Sequence, residues 1–232
     1  MAHTRLFRNR EDAGARLADE LIRLELERPL VYALPRGGVP VARKVADRLA
    51  APLDLFLVRK LPAPGAPEVA IGAIADGDHP TRVLIPEMLT ATRPSPSYML
   101  KVVQEAEAEL ERRRRAYLGD RRQPDPRGRS TIVIDDGLAT GATARAAAEA
   151  LRRLGASRVV VAAPVGSREA IASLREVCDE VVCLAAPEPF GGVGAWYEDF
   201  HQLEDREVLA AMVETQDAQR TRPAGPTGSK VE

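Results

Sequence analysis

The chain has 232 residues, with 33 lysines and arginines against 34 aspartates and glutamates, for a formal net charge of −1. This length allows one large α/β domain, and the balanced charge gives no global attraction to nucleic acid, so any anion site must be local. Cys178 and Cys183 are the only cysteines, which argues against a zinc knuckle or a disulfide scaffold and indicates reduced core residues. We expect no nucleic-acid partner.

The N-terminal stretch MAHTRLFRNREDAG contains no apolar signal region. No later stretch approaches the roughly 20 apolar residues that a membrane span needs. We therefore expect a cytoplasmic protein without a membrane partner. The sequence is compatible with a homodimer, but it does not decide the oligomeric state.

Hydrophobic periodicity predicts a helix and then a βαβ unit at the start of the chain. One helix face carries Ala13, Leu17, Leu21 and Leu24, and a four-residue apolar repeat marks a second helix after the PRGG turn. The predicted elements are a helix over 11–27, a strand over 31–34, a helix over 39–50 and a strand over 53–58. This order favours parallel strands joined by the second helix.

An insertion is predicted over about 61–97. Residues 61–67 contain three prolines, which fix φ and withhold backbone donors, so we expect a loop there. The apolar runs VAIGAIA and RVLIP flank a turn that begins with Asp-Gly. This pattern predicts a hairpin that projects from the main sheet.

The longest predicted helix covers residues 98–118. Its apolar stripe consists of Leu100, Val103, Leu110 and Tyr117. Its favourable i,i+4 pairs are Glu109 with Arg113 and Glu111 with Arg115. The arginine run that ends this helix has acidic partners and no interleaved aromatic residues, which favours a solvated helix face over a nucleic-acid site.

The second half of the chain repeats the β-α order. The predicted elements are a helix over 142–154 that ends at Gly155, a strand over 158–163, a helix from Ser167 and a strand over 181–184. Together the elements predict an α/β fold with a mainly parallel, doubly wound sheet in one domain over 1–215. Residues 216–232 are rich in polar residues, glycine and proline, and we expect a disordered tail.

The stretch TIVIDDGLATGAT, residues 131–143, places two aspartates directly after a β-rich apolar run. In open α/β sheets, ligands bind beyond the carboxyl ends of the strands, where Asp135 and Asp136 fall. The small residues that follow open a helix whose free N–H groups suit a phosphate. Because carboxylates repel phosphate, the two aspartates should face sugar hydroxyls or a bridging Mg²⁺ ion. A ribose 5-phosphate provides both the phosphate and the sugar hydroxyls. The absence of a lysine after the second glycine excludes a Walker A loop.

The order of four apolar residues, two acids, Gly-x-x-Thr-Gly-x-Thr and a helix resembles the signature with which type I phosphoribosyltransferases bind 5-phosphoribosyl 1-diphosphate (PRPP). A helix-capping turn would explain one aspartate, but not both together with the Thr-Gly-x-Thr. The resemblance implies a flexible-loop insertion, a small C-terminal hood, Mg²⁺, and transfer of ribose 5-phosphate to a nitrogenous acceptor with release of pyrophosphate. The implied 5′-phosphate-binding residues are Ala139, Thr140, Gly141, Ala142 and Thr143. The implied metal ligands are Asp135 and Asp136.

Two further loops fall where this family would bind the diphosphate. LPRGG (34–38) follows the first strand and resembles the family's pyrophosphate loop, and VRK (58–60) ends the second predicted strand. The implied pyrophosphate-binding residues are Pro35, Arg36, Gly37, Gly38, Arg59 and Lys60. A plain tight turn and exposed strand-end charges are the alternatives. The segment from Pro62 to about His79 would be a lid that excludes water.

In the family's reaction, positive charge grows on the ribose and negative charge grows on the departing diphosphate. The resemblance therefore implies catalytic roles for Asp135, Asp136, Arg36 and Lys60. One position departs from the pattern. Where members that salvage 6-oxopurines carry a third aspartate, this chain has Ala139, which counts against ordinary hypoxanthine or guanine salvage.

The nearer resemblance is to uncharacterised bacterial phosphoribosyltransferase-like proteins. It rests on LPRGG, VRKL, AIGAIA and VGAWYEDFHQ (193–202), and it spans roughly residues 5–210. This resemblance supplies a family and leaves the acceptor base unidentified.

An aromatic cluster over about 186–202 is predicted to form the hood. In a chain with 4% aromatic residues, Trp196 and Tyr197 are candidates to stack on an aromatic acceptor. The alternative is that these rings anchor the C-terminal segment to the core. His201 is either a proton carrier or a structural histidine.

Two classes of function are compatible with these motifs. The first is a Mg²⁺-dependent phosphoribosyltransferase, which the diphosphate loop and the lid-like insertion favour. The second is a regulator that binds PRPP or a nucleotide without turnover. A DNA-binding extension would favour the regulator, and none is recognised in the first thirty residues or in the tail. Hydrolysis of a phosphorylated sugar, or another transfer in the same cradle, has less support.

Overall fold

The computed structural model describes residues 5–76, 80–119 and 123–221. The helices are α1 (Arg10–Leu21), α2 (Gly38–Leu49), α3 (Pro86–Thr92), α4 (Pro96–Tyr117), α5 (Ala142–Arg153), α6 (Arg168–Leu174) and α7 (Asp205–Thr221). The strands are β1 (Leu30–Ala33), β2 (Leu53–Leu55), β3 (Val58–Ala63), β4 (Ala66–Ala75), β5 (Thr81–Leu84), β6 (Ser130–Ile134), β7 (Arg158–Val165) and β8 (Glu180–Ala185). Within these described ranges, no helix combines the length and the apolar character that crossing a membrane requires.

Five strands form a parallel sheet in the order β2-β1-β6-β7-β8. The chain builds this sheet outward in two directions from the central β1–β6 pair. The carboxyl ends of β1 and β6 therefore flank a topological switch point, which is where open α/β sheets bind ligands. The predicted α/β fold with a mainly parallel, doubly wound sheet is confirmed.

Alternate residues of the central strand β6 enter separate cores. Ile132 and Ile134 pack with α1 and α2 on one face, whereas Val133 packs with α5 and α6 on the other. All three side chains are fully buried. A strand covered by helices on both faces favours apolar side chains on both faces. This burial explains why the run before the acid pair is continuous and does not alternate with polar residues.

The insertion forms a second sheet of three antiparallel strands in the order β3-β4-β5. The predicted hairpin is confirmed by the pairing of β4 with β5. Residues 77–79 of its turn lie outside the described residues. The insertion packs against α4 and α5, beside the main sheet.

The predicted loop over 61–67 is wrong, because most of this segment is paired. β3 continues to Ala63 and β4 begins at Ala66, which leaves only Pro64 and Gly65 in the turn. Pro62 is tolerated because β3 is an edge strand whose register with β4 shifts on both sides of this residue. The described part of the predicted lid is thus a regular hairpin. Its closure over a substrate stays a prediction.

Helix α4 agrees with the predicted helix over 98–118, but one member of the predicted stripe is misplaced. Val103, Leu110 and Tyr117 are buried, whereas Leu100 is 60% exposed. At 3.6 residues per turn, Leu100 lies about 60° to one side of Val103, while the other buried residues lie to the opposite side. The predicted ion pairs are present, with distances of 2.8 Å for Arg113–Glu109 and 2.7 Å for Arg115–Glu111. Those contacts support the solvated-face interpretation of the arginine run.

The C-terminal helix α7 was not predicted. Its Val208 and Met212 side chains are buried in the same core as α1 and α2, and Glu214 forms an ion pair with Arg43 of α2. The helix continues to Thr221, so the start of the predicted disordered tail at residue 216 is helical. Residues 222–232 lie outside the described residues.

Cys178 and Cys183 are free thiols, as predicted. Burial raises the pKa of Cys183 to about 11 and also raises the pKa of Cys178. Because the thiolate is the reactive form, we expect alkylation of Cys183 by iodoacetamide at pH 8 to be on the order of 100-fold slower than that of a free cysteine with a pKa of about 8.5. A mass-spectrometric time course would measure the alkylation rate of Cys183, with urea-unfolded protein as the control. Equal rates in the native and unfolded protein would contradict the expectation.

Candidate active site

The ends of β1 and β6 bring together the two loops that carry the predicted site. The Leu34 N–H donates to the Ile134 carbonyl oxygen at 2.9 Å, so residues 35–38 and 135–143 leave the sheet side by side. A Cβ atom at Gly38 would lie 2.5 Å from that same oxygen, which is closer than side-chain carbons come. The predicted diphosphate loop and the predicted acid pair are therefore neighbours in space.

The turn after the acid pair surrounds a cavity of about 150 Å³, lined by residue 135 and residues 137–144. Among the described residues, the N–H groups of Ala139, Thr140, Gly141 and Thr143 have no acceptor in the protein. The N–H of Ala142 makes only a long contact of 3.4 Å with the neighbouring Thr140 hydroxyl. Free N–H groups at the start of a helix form an anion site. The turn can therefore hold a phosphate at the residues predicted for it.

Gly141 is needed in this turn because its φ is +71°. Side chains disfavour this left-handed conformation, whereas glycine adopts it freely. The residue ends the turn and is followed directly by α5, whose first turn then faces the cavity. The second glycine of the motif thus has a backbone role.

Ser167 holds the turn in place, a role that the sequence analysis missed. Its N–H donates to the Leu138 carbonyl oxygen at 2.9 Å, and its hydroxyl donates to the Ala139 carbonyl oxygen at 2.8 Å. These bonds engage carbonyl groups of the turn and leave its amides for a ligand. The serine also caps α6, so its presence was already explained by helix capping, and no further sequence signal marked the second role.

The predicted pyrophosphate loop also carries free amides. Within the part of the chain that the structure describes, the N–H groups of Arg36 and Gly37 have no acceptor. The Pro35–Arg36 peptide bond is cis. The half-exposed Arg36 side chain approaches the start of α7, where its Nη1 lies 3.8 Å from Asp205 Oδ1. The loop thus presents two donors and one guanidinium beside the acid pair.

Asp135 is the carboxylate that lines the cavity of about 150 Å³ after β6. Burial raises the pKa of Asp135 well above the usual value of an aspartate, and the adjacent charge of Asp136 raises it further. Asp135 Oδ1 accepts the N–H of Asp136 at 2.9 Å. Because a desolvated carboxylate pair disfavours its own double negative charge, it is suited to a hydroxyl-bearing or cationic ligand.

Asp136 is bonded to Arg10, a second residue that the sequence analysis missed. Arg10 Nε donates to Asp136 Oδ2 at 2.8 Å, although the two residues are 126 positions apart. Arg10 is only 7% exposed. Near the start of a charged amphipathic helix, an arginine resembles any surface residue, so no pattern in the sequence singled it out.

Arg59 and Lys60 lie elsewhere than predicted. The strand expected over 53–58 ends at Leu55, and both residues belong to β3 of the insertion. Together with residues of α4, they line a separate cavity of about 290 Å³. The expectation that VRK ends the second strand of the main sheet is wrong, because that strand ends early. Their contact with a diphosphate stays a prediction.

Trp196 and Tyr197 are buried, with exposed fractions of 6% and 1%. The Trp196 Nε1–H donates to the Phe190 carbonyl oxygen at 2.8 Å, and the Tyr197 hydroxyl donates to the Asp136 carbonyl oxygen at 2.6 Å. Both rings pack with Phe7 and the end of β7. Rings buried to this degree leave no face for stacking on an acceptor, so the structure supports the anchoring alternative and corrects the acceptor-binding prediction.

His201 lies near this region with a half-exposed side chain. Its ring nitrogens lie 3.0 Å from Glu207 and 3.2 Å from Asp199. The hydrogen bond with Glu207, followed by that with Asp199, raises the pKa of His201. These contacts favour the structural alternative for this histidine.

Asp135 and Asp136 are the residues that could hold Mg²⁺. In the described ranges, no three His, Cys, Asp or Glu residues are grouped as a metal site. Magnesium commonly keeps several waters and binds one or two carboxylates together with substrate phosphates. The residues therefore fit an ion shared with a bound diphosphate, and they do not fit a site built by the protein alone.

The model of the family described as "Phosphoribosyl transferase domain" matches residues 4–195. The chain belongs to this family. Two proteins from Mycobacterium tuberculosis, strains CDC 1551 / Oshkosh and ATCC 25618 / H37Rv, are named "putative phosphoribosyl transferase" and are each 44% identical over 206 residues. Each match covers 89% of this chain and 46% of the relative. This phosphoribosyl transferase domain thus spans about half the length of these curated relatives.

A solved structure shares the fold. The crystal structure of TT1426 from Thermus thermophilus is 43% identical and has a TM-score of 0.79. The match covers 90% of this chain and 98% of that one. The resemblance to phosphoribosyltransferases that the motifs indicated is therefore confirmed at the level of the family and the fold.

Proposed function

We propose that this phosphoribosyl transferase domain uses PRPP and Mg²⁺ to transfer ribose 5-phosphate to a nitrogenous acceptor, with release of pyrophosphate. The supporting observation is that the unengaged amides of residues 139–141 and 143 and the Asp135 carboxylate line one cavity at the switch point of the sheet. The 5′-phosphate of PRPP would accept hydrogen bonds from the amides, and the ribose hydroxyls would donate to the carboxylate.

The charges around the site suit this transfer. A bond would form between the acceptor nitrogen and the anomeric carbon while the bond from that carbon to the diphosphate oxygen breaks. The diphosphate would depart with the electron pair, and a proton of the acceptor would pass to water or to the diphosphate. Asp135 and Asp136 would stabilise positive charge on the ribose. The amides of Arg36 and Gly37, with the Arg36 guanidinium, would stabilise negative charge on the leaving group.

Magnesium, when bound, would neutralise charge on the diphosphate oxygens. Asp135 and the second carboxylate oxygen of Asp136 would hold it together with the substrate. Arg59 and Lys60 would reach the diphosphate only if the hairpin moved toward the switch point, as lids do in many enzymes. Lys60 is therefore proposed as catalytic only in a closed form of the protein.

We expect the double variant Asp135→Asn/Asp136→Asn to bind PRPP with Mg²⁺ at least about tenfold more weakly than the wild type, because charge-assisted hydrogen bonds to the ribose are lost. Isothermal titration calorimetry measures both affinities. Inorganic phosphate serves as the control ligand, since it needs only the amides of residues 139–143. Equal PRPP affinities in the two proteins would refute the assignment of the ribose site.

A second candidate function is PRPP or nucleotide binding without turnover. It is favoured by the position of Arg59 and Lys60, which line a cavity separate from the phosphate cavity. Labelled PRPP incubated with Mg²⁺ and a panel of nitrogenous bases distinguishes the two functions. The transferase should yield a nucleotide and pyrophosphate with at least one base. Tight PRPP binding without product from any base would favour the regulator.

A further inference from the structure

The Arg10 guanidinium is held on three sides. Its Nε donates to Asp136 Oδ2 at 2.8 Å, and its Nη1 donates to the His201 carbonyl oxygen at 2.9 Å. Its central carbon lies 3.9 Å from the centroid of the Phe200 ring, within the range of a cation–π contact. With 7% of its surface exposed, this side chain is held in place by these contacts.

Further contacts hold the backbone of Asp136 and bring the diphosphate loop against its side chain. A Cβ atom at Gly37 would lie 1.9 Å from Asp136 Oδ2, so the diphosphate loop passes directly against this carboxylate. The Tyr197 hydroxyl donates to the carbonyl oxygen of Asp136, and the Asp136 N–H donates to Asp135 Oδ1. In the described part of the chain, Asp136 Oδ1 has no protein partner. One oxygen is thus anchored and the other is left for a ligand.

The ion pair between Arg10 and Asp136 places a positive charge beside two adjacent carboxylates. Without a counter-charge, two desolvated carboxylates repel each other and turn apart or take up a proton. A buried arginine that is bonded to one of them offsets this repulsion and fixes the direction of its second oxygen. Lysine has the same charge but lacks the planar fork that bonds Asp136 and the His201 carbonyl at once.

We propose that Arg10 is a positioning residue of the sugar site, which acts through Asp136. It anchors Oδ2 so that Oδ1 faces the hydroxyls of a bound pentose phosphate or a magnesium ion bound with it. This inference rests on the proposed function, because it assumes a pentose beside the phosphate cavity. It adds a charged residue contributed by α1 to a site otherwise built from the ends of β1 and β6.

The test compares two ligands on four proteins. Calorimetric titrations with ribose 5-phosphate and with inorganic phosphate are performed on the wild type, Arg10→Gln, Arg10→Lys and Arg23→Gln. Arg23 is a matched control because it is an exposed arginine that pairs with Glu20 on the protein surface. Inorganic phosphate reports the amide turn alone, whereas ribose 5-phosphate also needs the carboxylates.

We expect Arg10→Gln to weaken ribose 5-phosphate binding about tenfold, the effect of one charge-assisted bond, and to leave phosphate binding within about twofold. Arg10→Lys should recover part of the loss, and Arg23→Gln should match the wild type. If Arg10→Gln does not fold, Arg10→Lys is compared with the wild type instead. It should lose affinity for ribose 5-phosphate and keep its affinity for inorganic phosphate.

Two outcomes would overturn the assignment, an unchanged affinity of Arg10→Gln for ribose 5-phosphate and an equal loss for both ligands. Each would mean that the residue has no role or a purely structural one. A selective loss in Arg10→Lys as large as that in Arg10→Gln would support the assignment, because it would mean that the planar fork positions Asp136. A wild type that binds phosphate but neither ribose 5-phosphate nor PRPP would instead overturn the proposed function, and the role of Arg10 with it. The two failures are therefore distinguishable.

Discussion

The Gly37→Ala variant is expected to bind PRPP with Mg²⁺ about 10- to 100-fold more weakly than the wild type. A methyl group at this position would lie 1.9 Å from Asp136 Oδ2 and 2.4 Å from its Cγ atom. Contacts this short do not occur, so either the carboxylate or the diphosphate loop must move. Since the two parts of the proposed site meet at this contact, the sugar would lose a hydrogen-bond acceptor and the leaving group would lose its donors.

Calorimetry with PRPP and Mg²⁺ measures this loss, and inorganic phosphate again reports on the separate amide turn. Gly128→Ala is the control, because an added Cβ there meets nothing within 4 Å and the residue precedes β6, at the end of that strand opposite to the acid pair. Since the φ of Gly128 is +65°, this variant also reports the effect of a strained substitution away from the site. Wild-type PRPP affinity in Gly37→Ala would contradict the prediction.

The same substitution should lower the free energy of unfolding by about 1–3 kcal/mol, the usual cost of overpacking. This cost should shrink in an Asp136→Ala background, where the clashing carboxylate is absent. Urea denaturation of the four proteins of this cycle measures the coupling between the two positions. Additive effects would mean that Gly37 and Asp136 do not touch.

Replacing Leu110 by alanine is expected to lower the free energy of unfolding by about 2–5 kcal/mol, because a buried leucine in a packed core leaves a cavity. Leu110 of α4 is 4% exposed and packs in the core shared with α1 and α2. The matched control is Leu100→Ala in the same helix. Since Leu100 is 60% exposed, its replacement should change stability by no more than about 0.5 kcal/mol.

Chemical denaturation followed by circular dichroism gives both free energies. Equal losses in the two variants would mean that Leu100 belongs to the core, as the helical periodicity predicted and the structure does not support. The comparison therefore also tests the rotational placement of α4.

The central motif could be predicted because its information is local. A continuous apolar run that ends in two aspartates favours a strand end for them, since burying two adjacent carboxylates on the faces of the sheet is costly. The glycine and threonine residues that follow indicate a helix start with free amides. Both features appear in the structure at the predicted residues 131–143.

The position of Arg59 and Lys60 could not be predicted in the same way, because the end of a strand depends on its partner. β1 is four residues long and pairs with β2 only as far as Leu55. The apolar residues that follow, Phe56 and Leu57, are buried outside the strand, so hydrophobicity alone extended the prediction too far. The chain then turns and pairs within the insertion.

The sequence by itself determined the βαβ order of the main sheet, its doubly wound class and the glycine-containing turn after the acid pair, because apolar periodicity and glycine placement depend on neighbouring residues. Only the tertiary structure decided which distant charges meet. Arg10 reaches Asp136 across 126 positions, and Arg36 meets Asp205, because α1 and α7 pack beside the switch point of the sheet. The free energy of such contacts depends on burial and on the distance between atoms, neither of which is recorded in the pattern of residues along the chain.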